Sequence, residues 1–316
     1  MLKSNRIQAF FLKGIVFFIC LVLIDQVLGN ILYRLLLKEK TGEYAVANHV
    51  VYKTQENILV LGSSRASHHY NPKILSDSLG MSCYNGGRNG QGLPYYAAIF
   101  KLSLEKHIPK ILILDINNRD LDADPEKKDN LACLLPYLKT SSGINSYILQ
   151  KGPFELTKAS IQAYRFNGQI FSMIQHNLFS NFSSHDIAGY KALKPKMDTA
   201  QHPKQARLIQ VEHIDNDNIN SLKNIISMCK QNGIKLFVFV SPRYSLDPIT
   251  NSVKIVEAIC ASRQVEFQDY TQNNALFQAK YFSDASHLNE YGADIYSSKI
   301  AAMIKREITN ATLKNR

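Results

Sequence analysis

A chain of 316 residues that is 45% hydrophobic and 20% charged is long enough to bury one large core and is neither disordered nor fibrous. Its 37 Lys and Arg against 26 Asp and Glu leave a formal charge of +11, but the cations are scattered and no basic run carries interleaved aromatics. That argues against nucleic acid as a partner and for a surface beside anionic lipid or an acidic polymer.

From the N-terminus, Lys3, Arg6 and Lys13 precede an uncharged apolar stretch from Gly14 to Ile24, apolar on every face, and after Asp25 and Gln26 the chain stays largely apolar to Leu37. Cations ahead of the stretch imply an N-in orientation, and no small-x-small site follows it, so an uncleaved signal anchor is expected in place of a cleaved signal peptide. This divides the chain into a cytoplasmic segment 1–13, a transmembrane segment 14–37, a polar tether 38–56, and a domain 57–316 outside the cytoplasmic membrane. Asp25 is costly in mid-bilayer and is expected near the outer interface or against a partner helix.

Residues 57–61 (NILVL) form a buried-strand pattern, 72–79 a helix stopped by Gly80, and 81–84 a second strand that runs into the glycine-rich loop 85–92 (NGGRNGQG). A helix over 94–106 and the strand 111–116 (ILILDI) follow. From 122 to about 214 the rhythm breaks into a loop of acids and lysines (DADPEKKDN), a helix over 154–179 and a polar tract, read as a mostly helical insertion over the catalytic edge. Alternation resumes with a helix over 219–231, strand 235–240 (KLFVFV), a helix over 252–263, strand 265–267 and a last amphipathic helix over 290–308. Repeated strand-helix alternation predicts an α/β fold with a mainly parallel sheet covered on both faces.

Three strand ends carry polar residues of a kind that open parallel sheets use for sites. Gly62-Ser63-Ser64-Arg65-Ala66 turns sharply from strand to helix, which suits either a nucleophilic serine or a simple helix N-cap at Ser64. In Asp284-Ala285-Ser286-His287 a carboxylate three residues before a histidine can fix its tautomer as a general base, or merely cap a turn. The Gly86–Gly92 loop, with Asn117 and Asn118 after the third strand, offers backbone N–H groups and amides to developing negative charge, or is only a connection. The nine histidines include adjacent His68 and His69 but no H-x-x-x-H pair, and the five cysteines no C-x-x-C pair, so neither metal nor other cofactor is expected.

Together these motifs resemble the SGNH (GDSL-like) hydrolase superfamily over roughly residues 57–121 and 235–308. The resemblance implies a three-layer flavodoxin-like fold with Ser64 as nucleophile, His287 as base and Asp284 as its orienting acid. It places the oxyanion hole at Ser64, Gly90 and Asn117, with Asn118 as substitute. Ser63 stands where the family has the aspartate of G-D-S, and Asp115-Ile116-Asn117-Asn118 where it has G-x-N-D. Such relaxed motifs are similar to those of membrane-anchored relatives that handle acyl groups on envelope polymers, the DltD-like and alginate-acetylation proteins. The implied activity is a serine esterase or O-acyltransferase on acyl, chiefly acetyl, esters of envelope or extracellular glycans, with envelope-assembly proteins as partners. The alternative is a non-catalytic binding module in an envelope-polymer assembly complex. Arg65 and Arg243, beside strand ends, could bind an anionic substrate or stay solvated. An α/β-hydrolase proper fits less well, because the serine follows the first strand and the acid lies only three residues before the histidine.

Overall fold

The computed structural model describes residues 2–178, 187–198, 202–203, 213–271 and 275–314. They form two compact units, Val46–Leu131 with Phe182–Arg316, and Met1–Ala45 with Ala132–Asn181.

The first unit holds a five-stranded parallel sheet of β1 (Ile58–Leu61), β2 (Cys83–Asn85), β3 (Ile111–Asp115), β4 (Lys235–Val240) and β5 (Glu266–Asp269), in the order β2-β1-β3-β4-β5. Ile58 stands opposite both Cys83 and Ile111, and Ile111 opposite Lys235. β1 and β3 are unbroken apolar runs up to their last residues because helices cover both of their faces. Ile58, Val60, Ile113, Phe237 and Phe239 face one core, shared with Tyr296, Ile300 and Ile304 of the helix Glu290–Lys314. The alternate residues Leu59, Leu61, Leu112 and Val238, equally buried, point to the other face. The helices Leu93–Leu104 and Asn216–Gln231 pack on each other, as Glu290–Lys314 packs on Pro72–Leu79. The helix Pro72–Leu79 starts where the Asn71 side chain accepts from Lys73 N–H and Pro72 occupies the first turn. Strand order reverses between β1 and β3, so their carboxyl ends open the crevice in which such sheets hold ligands.

The stretch 38–56, expected to be a polar tether, is folded. Gly42–Asn48 is an α-helix and His49–Lys53 a π turn whose Val50 and Val51 are fully buried, and this turn packs on Leu93–Leu104.

The second unit contains α1 (Leu2–Lys38), long and apolar enough to cross a membrane by length and composition. Ala132–Asn181, expected to cover the catalytic edge, belongs with this helix. The single helix expected over 154–179 is three pieces, Glu155–Lys158, a 3-10 turn Ala163–Phe166, and Ile170–Leu178, with Asn167-Gly168 forming the second break. The end of the expected helix, Phe179, and most of the polar tract lie outside the described residues.

Candidate active site

At the end of β1 the chain reverses within one residue. Gly62 has φ +153°, and a Cβ there would stand 2.5 Å from Asp115 O and 2.7 Å from Ala66 Cβ, so only glycine lets the strand enter the helix Ser64–His69 directly. This turn presents Ser64, half-buried, as the first helical residue.

Ser64 Oγ lies 2.8 Å from His287 Nε2, although the two residues are 223 positions apart. The other face of the imidazole meets Asp284, with Nδ1 at 2.9 Å from Oδ2 and 3.0 Å from Oδ1. A carboxylate there assigns the ring proton to Nδ1 and leaves Nε2 to accept from the serine hydroxyl. Burial opposes the Asp284 charge, but the His287 hydrogen bond and the amides of Ser286 and His287 outweigh it and hold the carboxyl below the usual carboxylate range.

The loop that carries both groups is closed by an antiparallel pairing of Phe282 with Leu288 and by Ser283 N–H on His287 O at 2.8 Å. It is also held from below. His69, fully buried, accepts from Leu288 N–H through Nε2 at 2.9 Å, so its Nδ1 donates to Ser241 Oγ at 3.0 Å. Burial, reinforced by the nearby Arg65 charge, pushes the His69 imidazole well below its ordinary range, and the ring stays neutral.

A cavity of about 320 Å³ opens in front of Ser64 and His287, lined also by Ser63, Gly90, Asn117, Asn118 and Arg243. Asp284 stands behind it and lines a neighbouring cavity of about 630 Å³ that shares Arg243. The expected site residues therefore converge, with two qualifications. Asn117 Nδ2 donates to Ser63 Oγ at 2.7 Å and, more weakly, to Asp120 Oδ1 at 3.4 Å, so the amide is engaged within the protein. Ser63, in the position of the family's aspartate, thus ties the ends of β1 and β3. It also bonds the Tyr96 hydroxyl, which donates to Gln91 O at 2.7 Å in the glycine-rich loop.

The second qualification concerns Arg65, expected on the substrate or in solvent. It is 2% exposed, and its terminal nitrogens donate to Ile116 O at 2.7 Å and Ser241 O at 3.1 Å. The guanidinium joins the ends of β3 and β4 beneath the site, and Arg65 also lines the cavity in front of Ser64. Arg243 does reach the cavities, paired with Asp247 at 3.3 Å.

Three buried residues under the site were missed by sequence reasoning: Asp115, Tyr70 and Ser241. Asp115 accepts from the Tyr70 hydroxyl at 2.6 Å, with Arg65 Nε 3.9 Å away. Burial pushes its carboxyl up to about 6, against the opposing pull of Arg65, Tyr70 and Ser241. The signal available for it was an acid inside the apolar run ILILDI. Among the described residues no cluster of His, Cys, Asp and Glu could hold a metal ion, and all five cysteines are free thiols.

No family model and no curated protein matches this chain. Among solved structures, a protein from Desulfitobacterium hafniense DCB-2 assigned to the lipolytic G-D-S-L family superposes with TM-score 0.39 and 9% identity, over 78% of this chain and 98% of its own. A protein from Bacteroides fragilis NCTC 9343 assigned as an acylhydrolase gives 0.36 and 13%, over 82% and 89%. Both are similarities at low identity, and the chemistry of the site rests on its own geometry.

Proposed function

We propose that this chain is a membrane-anchored serine esterase or O-acyltransferase that acts through an acyl-enzyme on Ser64. The observation that carries the proposal is the line Ser64 Oγ, His287 Nε2, His287 Nδ1, Asp284 carboxylate, with successive contacts of 2.8 and 2.9 Å at the head of a parallel sheet. In that line His287 Nε2 takes the Ser64 proton as Oγ attacks an ester carbonyl, and Asp284 stabilises the imidazolium that forms. The N–H groups of Ser64 and Gly90 and an asparagine amide hold the oxyanion, Asn117 by giving up one internal bond or Asn118 from the same cavity. The imidazolium returns its proton to the leaving alkoxide, and water or a sugar hydroxyl, deprotonated by His287, then takes the acyl group. Acetyl esters of envelope or extracellular glycans are the substrates that best suit a small cavity edged by Asn117, Asn118 and Arg243 and a chain with an apolar N-terminal helix. The helix would anchor the chain in the cytoplasmic membrane, with the sheet on the extracytoplasmic side.

The engaged amide of Asn117 favours one other reading, a non-catalytic binding module in an envelope-polymer assembly complex. A fluorophosphonate probe on the full chain in detergent separates the two. Wild type is expected to label, Ser64→Ala not at all, and His287→Ala slower by on the order of a thousandfold. A folded wild type that takes no label would move the assignment to the binding module.

A further inference from the structure

α1 changes character at Asp25. Every residue from Arg6 to Ile24 is exposed, about 28 Å of helix that includes Lys13, whose ammonium must reach back to the inner headgroups for this length to cross the hydrocarbon layer. Beyond that point one face is covered, and Gly29, Leu32 and Leu36 are buried along the stripe that Asp25 begins.

The cover comes from the 132–178 segment of the same unit. Gln162 N–H donates to Asp25 Oδ2 at 2.7 Å and Ala163 N–H to Oδ1 at 2.9 Å. Lys139 Nζ donates to Asn30 Oδ1 at 2.7 Å, and Asn177 Nδ2 to Leu35 O at 3.1 Å. A Cβ on Gly29 would fall 2.2 Å from Gln162 Cβ, so the segment lies directly on the helix. A carboxylate in an apolar helix is costly unless its charge is met. Here two backbone N–H groups meet it at the first position past the exposed length.

That segment exposes several large apolar side chains. Phe154 is 69% exposed, Ile161 57% and Phe171 81%, and Ile170 and Ile174 extend the Phe171 stripe along its helix. Its charges are one-sided: between 132 and 178 the sequence has Lys139, Lys151, Lys158 and Arg165 against Glu155 alone. Exposed apolar side chains among cations are the composition of a segment lying in the headgroup layer of an anionic bilayer.

We infer that residues 149–174 rest in the headgroup layer of the leaflet that α1 leaves, with Phe154, Ile161 and Phe171 reaching the acyl chains. The net positive charge of the segment complements lipid phosphates, and the Asp25 contact marks where α1 exits the hydrocarbon. Lipid is the occupant because the segment is bonded to α1 from Asp25 onward, directly past the exposed length of that helix, and has the net charge that anionic headgroups complement. The inference rests on the reading of α1 as a membrane helix.

The sequence contains no tryptophan, so a single introduced one reports its own surroundings. Phe154→Trp, Phe171→Trp and, within α1, Phe17→Trp would each be reconstituted as full chains into phosphatidylglycerol-containing vesicles with or without brominated acyl chains. All three are expected to lose most of their emission to the bromines and little to aqueous iodide. Quenching at Phe17→Trp with iodide access at either other position overturns the seated segment and leaves the anchor standing. Iodide access at Phe17→Trp overturns the membrane reading of α1 and this inference with it.

Discussion

Glu56 lies in the stretch that reads as polar linker, yet four groups organise around it. The imidazole of His49 bonds its carboxylate at 2.9 Å, the Thr54 hydroxyl at 3.1 Å and the Gln55 amide at 2.9 Å, while the His49 ring stacks on Tyr84 at 3.7 Å. Burial opposes the charge, but the bonds from His49 and Gln55 prevail and bring the carboxyl down from 4.5 to about 2. A depressed acid contributes stability in full above its unfolded value and loses it as pH falls through its folded one. Glu56→Gln is therefore expected to destabilise by on the order of 2–3 kcal/mol at pH 7, with the gap closing between about pH 4.5 and pH 2 in urea melts at each pH. At this scale the sequence is most legible where residue type limits the role. Ser64, Asp284 and His287 stand out because a serine at a strand-to-helix turn and an acid three residues before a histidine have few other uses in combination. Arg65 is legible as a cation beside a strand end, but only packing shows its terminal nitrogens donating to carbonyls. Asn117 is legible as a position but not as a bond, since its partner Ser63 comes from another strand end.

Elements defined by continuous apolar runs, β1, β3 and β4, fall within a residue of their expected limits because a strand buried on both faces has no polar alternation to blur it. The π turn His49–Lys53 and the broken helices of 155–178 are illegible for the opposite reason: their order comes from contacts distant in sequence, not from local periodicity. The loop 282–289, which carries Asp284 and His287, depends on such a contact, the one from His69 to Leu288 N–H. His69→Phe would leave that N–H without its partner and remove the Nδ1 donor from Ser241 Oγ, costing about 1–3 kcal/mol. The larger expected effect is on geometry, with labelling by the fluorophosphonate slowed roughly a hundredfold while the sheet stays folded. His69→Gln, whose amide oxygen can accept from Leu288, is expected to recover much of that rate. Equal labelling rates in wild type and His69→Phe would show the loop to be held by its own hairpin alone.

Across the whole molecule, two compact units are built from interleaved stretches of chain, Met1–Ala45 with Ala132–Asn181 and the remainder around the sheet. Interleaving is what hid this plan from the sequence, because Asp25 and its partners Gln162 and Ala163 are more than a hundred positions apart and neither segment announces the other. Asp25→Ala would leave two N–H groups unmet, about 1–3 kcal/mol. Trypsin is expected to cut faster at Lys158 and Arg165, with the melting of the sheet unit unchanged; an unchanged cleavage rate would mean that the Asp25 bonds do not hold the segment. The 223 positions between Ser64 and His287 set an order of events as well as a distance. As the polypeptide is made, Ser64 emerges long before His287. Its hydroxyl therefore remains an ordinary alcohol while the sheet assembles around it. On the proposed mechanism, reactivity would arrive only when the loop before the last helix docks on His69, so the order of synthesis itself would prevent premature acylation of a half-made chain.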